Sequence, residues 1–170
     1  MKKFNLFLLL LIIAVLAACA GRPDLQSQNG LEESGEISFT LTDSIFRAQS
    51  ELSTAIPQGT ILGVIGITSP NEFEAEFAQE QLIFFLVQGG MFRVVERQAL
   101  DVIREEQNLH LSGDVDDNTA VSIGRLAGAE IVITGSIVPY GHVKHLNLRA
   151  LDVETSQILA VSSRAFAFTF

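Results

Sequence analysis

The sequence predicts an α/β (α+β) class: one compact domain over residues 39–170, a mixed β-sheet with helices packed on it in the order α-β-α-β-α-α-β-β-β. Three observations carry that reading. Apolar runs bounded by breakers, at residues 61–67 and 131–138, are the pattern of strands covered on both faces. Between them lie segments whose apolar residues recur at helical spacing. Residues 143–152 and 157–169 then form two strands flanking a polar turn, Asp152 to Gln157. A chain of 170 residues suits one such domain and is long enough to bury a core without disulfides.

The elements follow in order. Leu41, Ile45, Ala48, Leu52 and Ile56 give a helix over residues 41–55, with Thr40 or Thr42 as its cap, and Pro57-Gln58-Gly59 stops it. The run from Ile61 to Ile67 is the first strand. Its two glycines indicate close approach by a packed helix. Ser69 as cap, Pro70 at the first helical position and Glu72 three residues after Ser69 make a capping-box start. Phe73, Phe77 and Phe84 are expected on the buried side of that helix, which runs through Val87 and ends at Gly89-Gly90. Phe92 to Glu96 is a short strand, and Leu100, Ile103 and Gln107 mark a third helix. The loop LHLSGDVDDN leads to a fourth, carrying Val121, Ile123 and Leu126 and ending at Gly128.

The segment before the domain has a different chemistry. Lys2 and Lys3 precede an apolar run from Phe4 to Ala18, interrupted by Asn5. The run is short for a membrane span, which takes about 20 residues, and fits the core of a secretory signal. It ends in Leu16-Ala17-Ala18-Cys19, which resembles the bacterial lipobox. That resemblance implies a signal peptide at 1–18 and a lipidated Cys19 bearing S-diacylglycerol and an N-acyl group such as palmitate. Cys19 is the single cysteine, so it cannot form an internal disulfide. Removal of residues 1–18 takes away two lysines and no acid, moving the formal net charge from -9 to -11. Such a charge argues against nucleic acid as a partner, because phosphate needs a basic face. Two or more acyl chains anchor a protein stably to a membrane. Ala20, where Asp would favour inner-membrane retention, points to the periplasmic face of the outer membrane. Residues 19–38 are polar and aperiodic, a flexible tether with an r.m.s. reach of about 25 Å.

Motifs with chemistry are sparse. Asp114, Asp116, Asp117 and Asn118 resemble part of a calcium loop, but Thr119 and Arg125 occupy the places of its glycine and its bidentate glutamate. Asp117 or Asn118 is better used as a helix cap. His142 and His145, three apart on a strand, face opposite ways, and His110 is remote, so no zinc set forms. Gly124 and Gly128 read as close packing of a helix on the sheet. The Gly63–Gly66 segment lacks both the dinucleotide fingerprint and a P-loop lysine, and no serine lies in GxSxG. Glu96 and Arg97 end a strand beside Asp101, where α/β proteins often place function. An ion-paired helix start is the plainer reading. Phe166, Phe168 and Phe170 alternate along the last strand. They are expected beneath the helices, with a partner surface and a barrel-type terminus as alternatives, and five strands fall short of a closed barrel. The sequence therefore predicts no catalytic residue, no metal and no cofactor.

Three segments carry a family resemblance. Residues 92–100 read FRVVERQAL, residues 105–113 read EEQNLHLSG, and residues 118–137 read NTAVSIGRLAGAEIVITGSI. In this order and spacing they resemble the family of the curli-secretion component CsgG and the penicillin-binding-protein activator LpoB. The resemblance implies a noncatalytic, lipid-anchored periplasmic adaptor that acts by protein contact. A peptidoglycan synthase is then the candidate partner, as in regulation of cell-wall synthesis. The alternative it implies is a self-assembling outer-membrane accessory, a homo-oligomer related to the secretion component. No pair of inserted amphipathic segments of about 10 residues is present to build a channel.

Overall fold

The computed structural model describes residues 39–106 and 116–167, all within the compact unit Ser38–Phe170. The elements are α1 (Leu41–Ala55), β1 (Ile61–Thr68), α2 (Glu72–Gln88), β2 (Arg93–Val94), α3 (Arg97–Glu106), α4 (Asp117–Leu126), β3 (Ile131–Tyr140), β4 (Val143–Asp152) and β5 (Ile158–Ala167). Their order is the one the sequence predicts. They form one five-stranded sheet in the order β2-β1-β3-β4-β5. β1 pairs in parallel with β2 (Ile61↔Arg93) and with β3 (Leu62↔Ile131). β3, β4 and β5 continue as an antiparallel meander, with Thr134 opposite Arg149 and Asn147 opposite Ser163.

This topology explains the two kinds of strand. Parallel neighbours need crossover connections, and the crossover helices cover both sheet faces. On one face α1 and α2 bury Ile45, Leu52, Leu82 and Leu86 against Val64, Ile133, Leu146, Leu148 and Phe166. On the other, α3 and α4 bury Leu100, Val121 and Ile123 against Ile65, Val132, Leu151 and Val153. Adjacent residues of one strand therefore serve opposite cores, Val64 one and Ile65 the other, as strand alternation requires. Each fully buried leucine contributes about 1.5–3 kcal/mol. The second helical layer stops short of the meander, leaving Val138, Tyr140 and Val161 in solvent.

Helix starts follow side-chain chemistry more closely than the sequence motifs indicated. Thr40 caps α1 in a reciprocal box: Asp43 N–H donates to Thr40 Oγ1 at 3.2 Å, and Thr40 N–H donates to Asp43 Oδ2 at 3.1 Å. For α2 the expected Ser69 box is replaced by Asn71, whose Oδ1 accepts from the Phe73 and Glu74 N–H groups. Ser69 Oγ instead donates to Glu74 Oε2 at 2.8 Å, and Glu72 becomes the first helical residue. Asn71 lies nearer the open N–H groups and is an equally good cap by type. At α4 the cap is Asp116 rather than Asp117 or Asn118. Asp116 Oδ1 accepts from Asn118 and Thr119 N–H, which leaves Asp117 free to pair with Arg149 at 3.0 Å.

The largest departure from expectation is on α2. Phe73, Phe77 and Phe84 are not buried: they are 84%, 42% and 52% exposed. The buried stripe is Ala78, Gln79, Leu82 and Leu86. At about 3.6 residues per turn, Phe73 lies two and a half turns from Leu82, on the opposite side of the helix. Both stripes are apolar, so periodicity alone could not choose between them. On α4, Leu126 is likewise exposed. Gly124 packs as predicted, since a Cβ there would collide with the Val132 side chain. At Gly128 a Cβ would meet nothing within 4 Å, so close packing is not its role: it takes φ +72° just past α4, a left-handed turn that glycine adopts without strain. Phe166 is buried beneath the helices. Phe168, Phe170, Gln107, His110, Asp114 and Cys19 lie outside the described residues.

Candidate functional site

The strand-end residues flagged in the sequence come together at the carboxyl ends of β1 and β2. β1 leads into α2 on one sheet face, while β2 leads into α3 on the other. The chain diverges between two adjacent parallel strands, which leaves a crevice at the topological switch point. Its cavity of about 290 Å³ is lined by residues 65–68 of β1, by Glu72, Glu76 and Gln79 of α2, and by Arg97 and Arg104 of α3. Glu96 accepts the backbone N–H groups of Ala99 and Leu100 through its carbonyl, which starts α3. Arg97 stands at the mouth with Asp101, Glu76 and Glu80 at 3.7, 3.8 and 3.9 Å. Those separations exceed hydrogen-bond distance, so the group is held by charge alone. Arg104 donates to the Ile65 carbonyl and to Asp101 Oδ1, tying α3 to β1. The ion-paired helix start expected at Arg97 and Asp101 is present, and it forms one wall of the crevice.

A second feature is the aromatic row on α2. Phe73, Phe77 and Phe84 lie in solvent, next to the acidic line of Glu72, Glu76 and Glu80. Phe85 links the row to α1: its ring meets Phe84 at 5.6 Å and Phe46 at 5.4 Å, both edge to face. Phe46 is itself 54% exposed. Phe46, Phe85 and Phe84 thus touch in series, while Phe73 and Phe77 lie further along the same exposed side of α2.

The remaining expected residues are scattered. His145 sits on β4, edge-on to Tyr140 at 6.0 Å, in a shallow hollow with Val138 and Asn147. His142 lies in the turn after Gly141 rather than on a strand, so strand alternation does not set its direction. Among the described residues no three His, Cys, Asp or Glu converge on a metal position. Asp116 spends its carboxylate on capping, and the Thr119 hydroxyl holds its pKa below the usual range. Glu51 on α1 is lowered in the same way, first by the Ser162 hydroxyl at 2.6 Å and then by Arg164 at 2.8 Å. Both carboxylates serve structure. Gln79 and Tyr140 carried no sequence signal, because burial against a crevice and exposure beyond a helical layer are set by the fold.

The family model for "Curli production assembly/transport component CsgG" matches residues 66–145. That span takes in α2, β2, α3, α4, β3 and most of the crevice lining. The LpoB C-terminal domain from Salmonella enterica is similar in structure, with a TM-score of 0.66 at 21% identity, covering 76% of this chain and 100% of that one. The LpoB C-terminal domain from Escherichia coli gives 0.65 at 21% identity, with the same coverages. The NMR structure of E. coli LpoB gives 0.61 at 22%, covering 85% of this chain and 81% of that one. No curated protein matches this chain in sequence. The fold is that of the LpoB C-terminal domain, and the sequence segments that resemble the family fall inside the matched span.

Proposed function

Taking the chain as CsgG/LpoB-like, we propose that it is a noncatalytic, lipid-anchored adaptor of the cell envelope that acts by protein contact. In this reading Cys19 carries the S-diacylglycerol and N-acyl groups, and the domain stands on the periplasmic face of the outer membrane. Its partner is an envelope protein of the peptidoglycan-synthase class, and binding regulates cell-wall synthesis. The observation that carries the contact role is the solvent-facing row of Phe73, Phe77 and Phe84 on α2. The flanking line of Glu72, Glu76 and Glu80 specifies the complement: an apolar groove with a basic rim.

Capture of the acylated protein from envelope extracts tests this reading. A peptidoglycan synthase is expected with the unaltered chain, and its absence would sink the activator role. The alternative, a self-assembling outer-membrane accessory, has one observation in its favour. β5 is a sheet-edge strand, with Ile158 and Val161 exposed, and an open edge can pair with a second copy. A monomer of the mature chain in solution argues against that alternative, and a ring supports it.

A further inference from the structure

The crevice between β1, α2 and α3 holds an unused set of polar groups, and it stands independently of the adaptor reading. Gln79 is the central one. It is 8% exposed, lines the cavity, and its carboxamide has no hydrogen-bond partner among the described residues. Its amide is not among the fully enclosed unpartnered groups of the described residues, so its N–H and C=O groups are open to the cavity. A carboxamide presents two N–H donors and one acceptor oxygen, which matches a peptide unit on both counts. On the same side of α2, Glu72 lines the cavity one turn before Glu76 and has no partner among the described residues. Across the opening, Arg97 makes no hydrogen bond to its three carboxylate neighbours, so its N–H donors remain open to a neutral oxygen.

Charge decides the ligand. Glu72, Glu76, Glu80 and Asp101 face Arg97 and Arg104, a local excess of negative charge. A fourth carboxylate beside Arg97 would be repelled, whereas a cation is attracted. A cavity of about 290 Å³ admits a small ligand or a chain end, at the lower limit for such sites. We propose that this crevice binds the amino terminus of a peptide. The ammonium group lies against Glu72 and Glu76, the first peptide unit pairs with Gln79, and its carbonyl accepts from Arg97. The peptide's source, a free oligopeptide or the chain end of a partner protein, shares this chemistry.

Titration of the mature chain with L-alanyl-L-alaninamide, followed by backbone amide shifts, tests the assignment. Shifts are expected at residues 65–68 and 72–79, with affinity weakened at least about tenfold by N-acetylation of the peptide. Gln79→Leu is expected to weaken binding by a similar factor while the thermal midpoint holds, because the amide makes no hydrogen bond among the described residues whose loss would destabilise the fold. A purely structural Gln79 would leave binding unmoved. Nα-acetyl-lysinamide carries its ammonium on a side chain, and binding by it with none by the dipeptide would overturn the amino-terminus assignment. No crevice shifts at millimolar dipeptide, equal binding of the acetylated peptide, or unchanged binding by Gln79→Leu would each overturn it too. A partner source is supported if a protein with a free amino terminus competes with the dipeptide; a free oligopeptide source is supported if only short peptides do.

Discussion

At single positions, steric fit and charge pairing set what the domain tolerates. Gly124 faces Val132 across the α4–β3 contact, and no Cβ fits between them without movement of a buried, branched side chain on a central strand. Gly124→Ala is expected to destabilise by about 1–3 kcal/mol, as overpacking does, read from the urea midpoint at unchanged slope. Glu51 gives a pH dependence with a definite sign. Its pKa is lowered in the folded state by Ser162 and then Arg164, so the unfolded chain binds more protons as the pH falls. The stabilisation is complete above the unfolded glutamate value of about 4.3 and is lost as the pH drops through the folded value. Ser162→Ala should flatten that acid-side fall in unfolding midpoint, and an unchanged profile would show that Ser162 does not hold the charge. The glycine was legible as a packing position from its spacing in the helix. The Glu51–Ser162 pairing was not, because it joins residues 111 apart in the chain.

At the scale of elements, α2 shows what periodicity can and cannot decide. Its existence and its end at Gly89-Gly90 follow from spacing and breakers. Its orientation does not, because phenylalanines on one side compete with Ala78, Leu82 and Leu86 on the other. The sheet resolves the competition by size. Small Ala78 and the leucines let α2 lie close against β1, while a bulky aromatic row would hold it away. The row is then free for contact, and its removal should cost little stability. Phe73→Ser combined with Phe77→Ser is expected to leave the unfolding free energy within about 0.5 kcal/mol per site, the range for exposed positions. A large loss would instead place these rings in the core. The caps tell a similar story. Each helix start was legible to within a few residues, but the oxygen that caps α2 and α4 was settled by local geometry among several eligible side chains.

At the scale of the molecule, the nine-element order was readable from alternating apolar runs and helical spacing. The crevice was readable only in part. Arg97 and Asp101 stood out at a strand end, whereas Gln79 enters it through the fold alone. In the proposed reading anchoring resides in Cys19, so Cys19→Ser is expected to abolish lipid labelling and processing at that site. Labelling equal to the unaltered protein would refute lipidation there. The described domain exposes the aromatic row of α2, which the proposed reading offers to a second protein. The most direct test of that account is capture from envelope extracts with the acylated chain, in parallel with the Phe73→Ser, Phe77→Ser variant. The account predicts recovery of a peptidoglycan synthase by the unaltered chain and its loss from the folded variant. Recovery of no synthase, or equal recovery by both proteins, would contradict it.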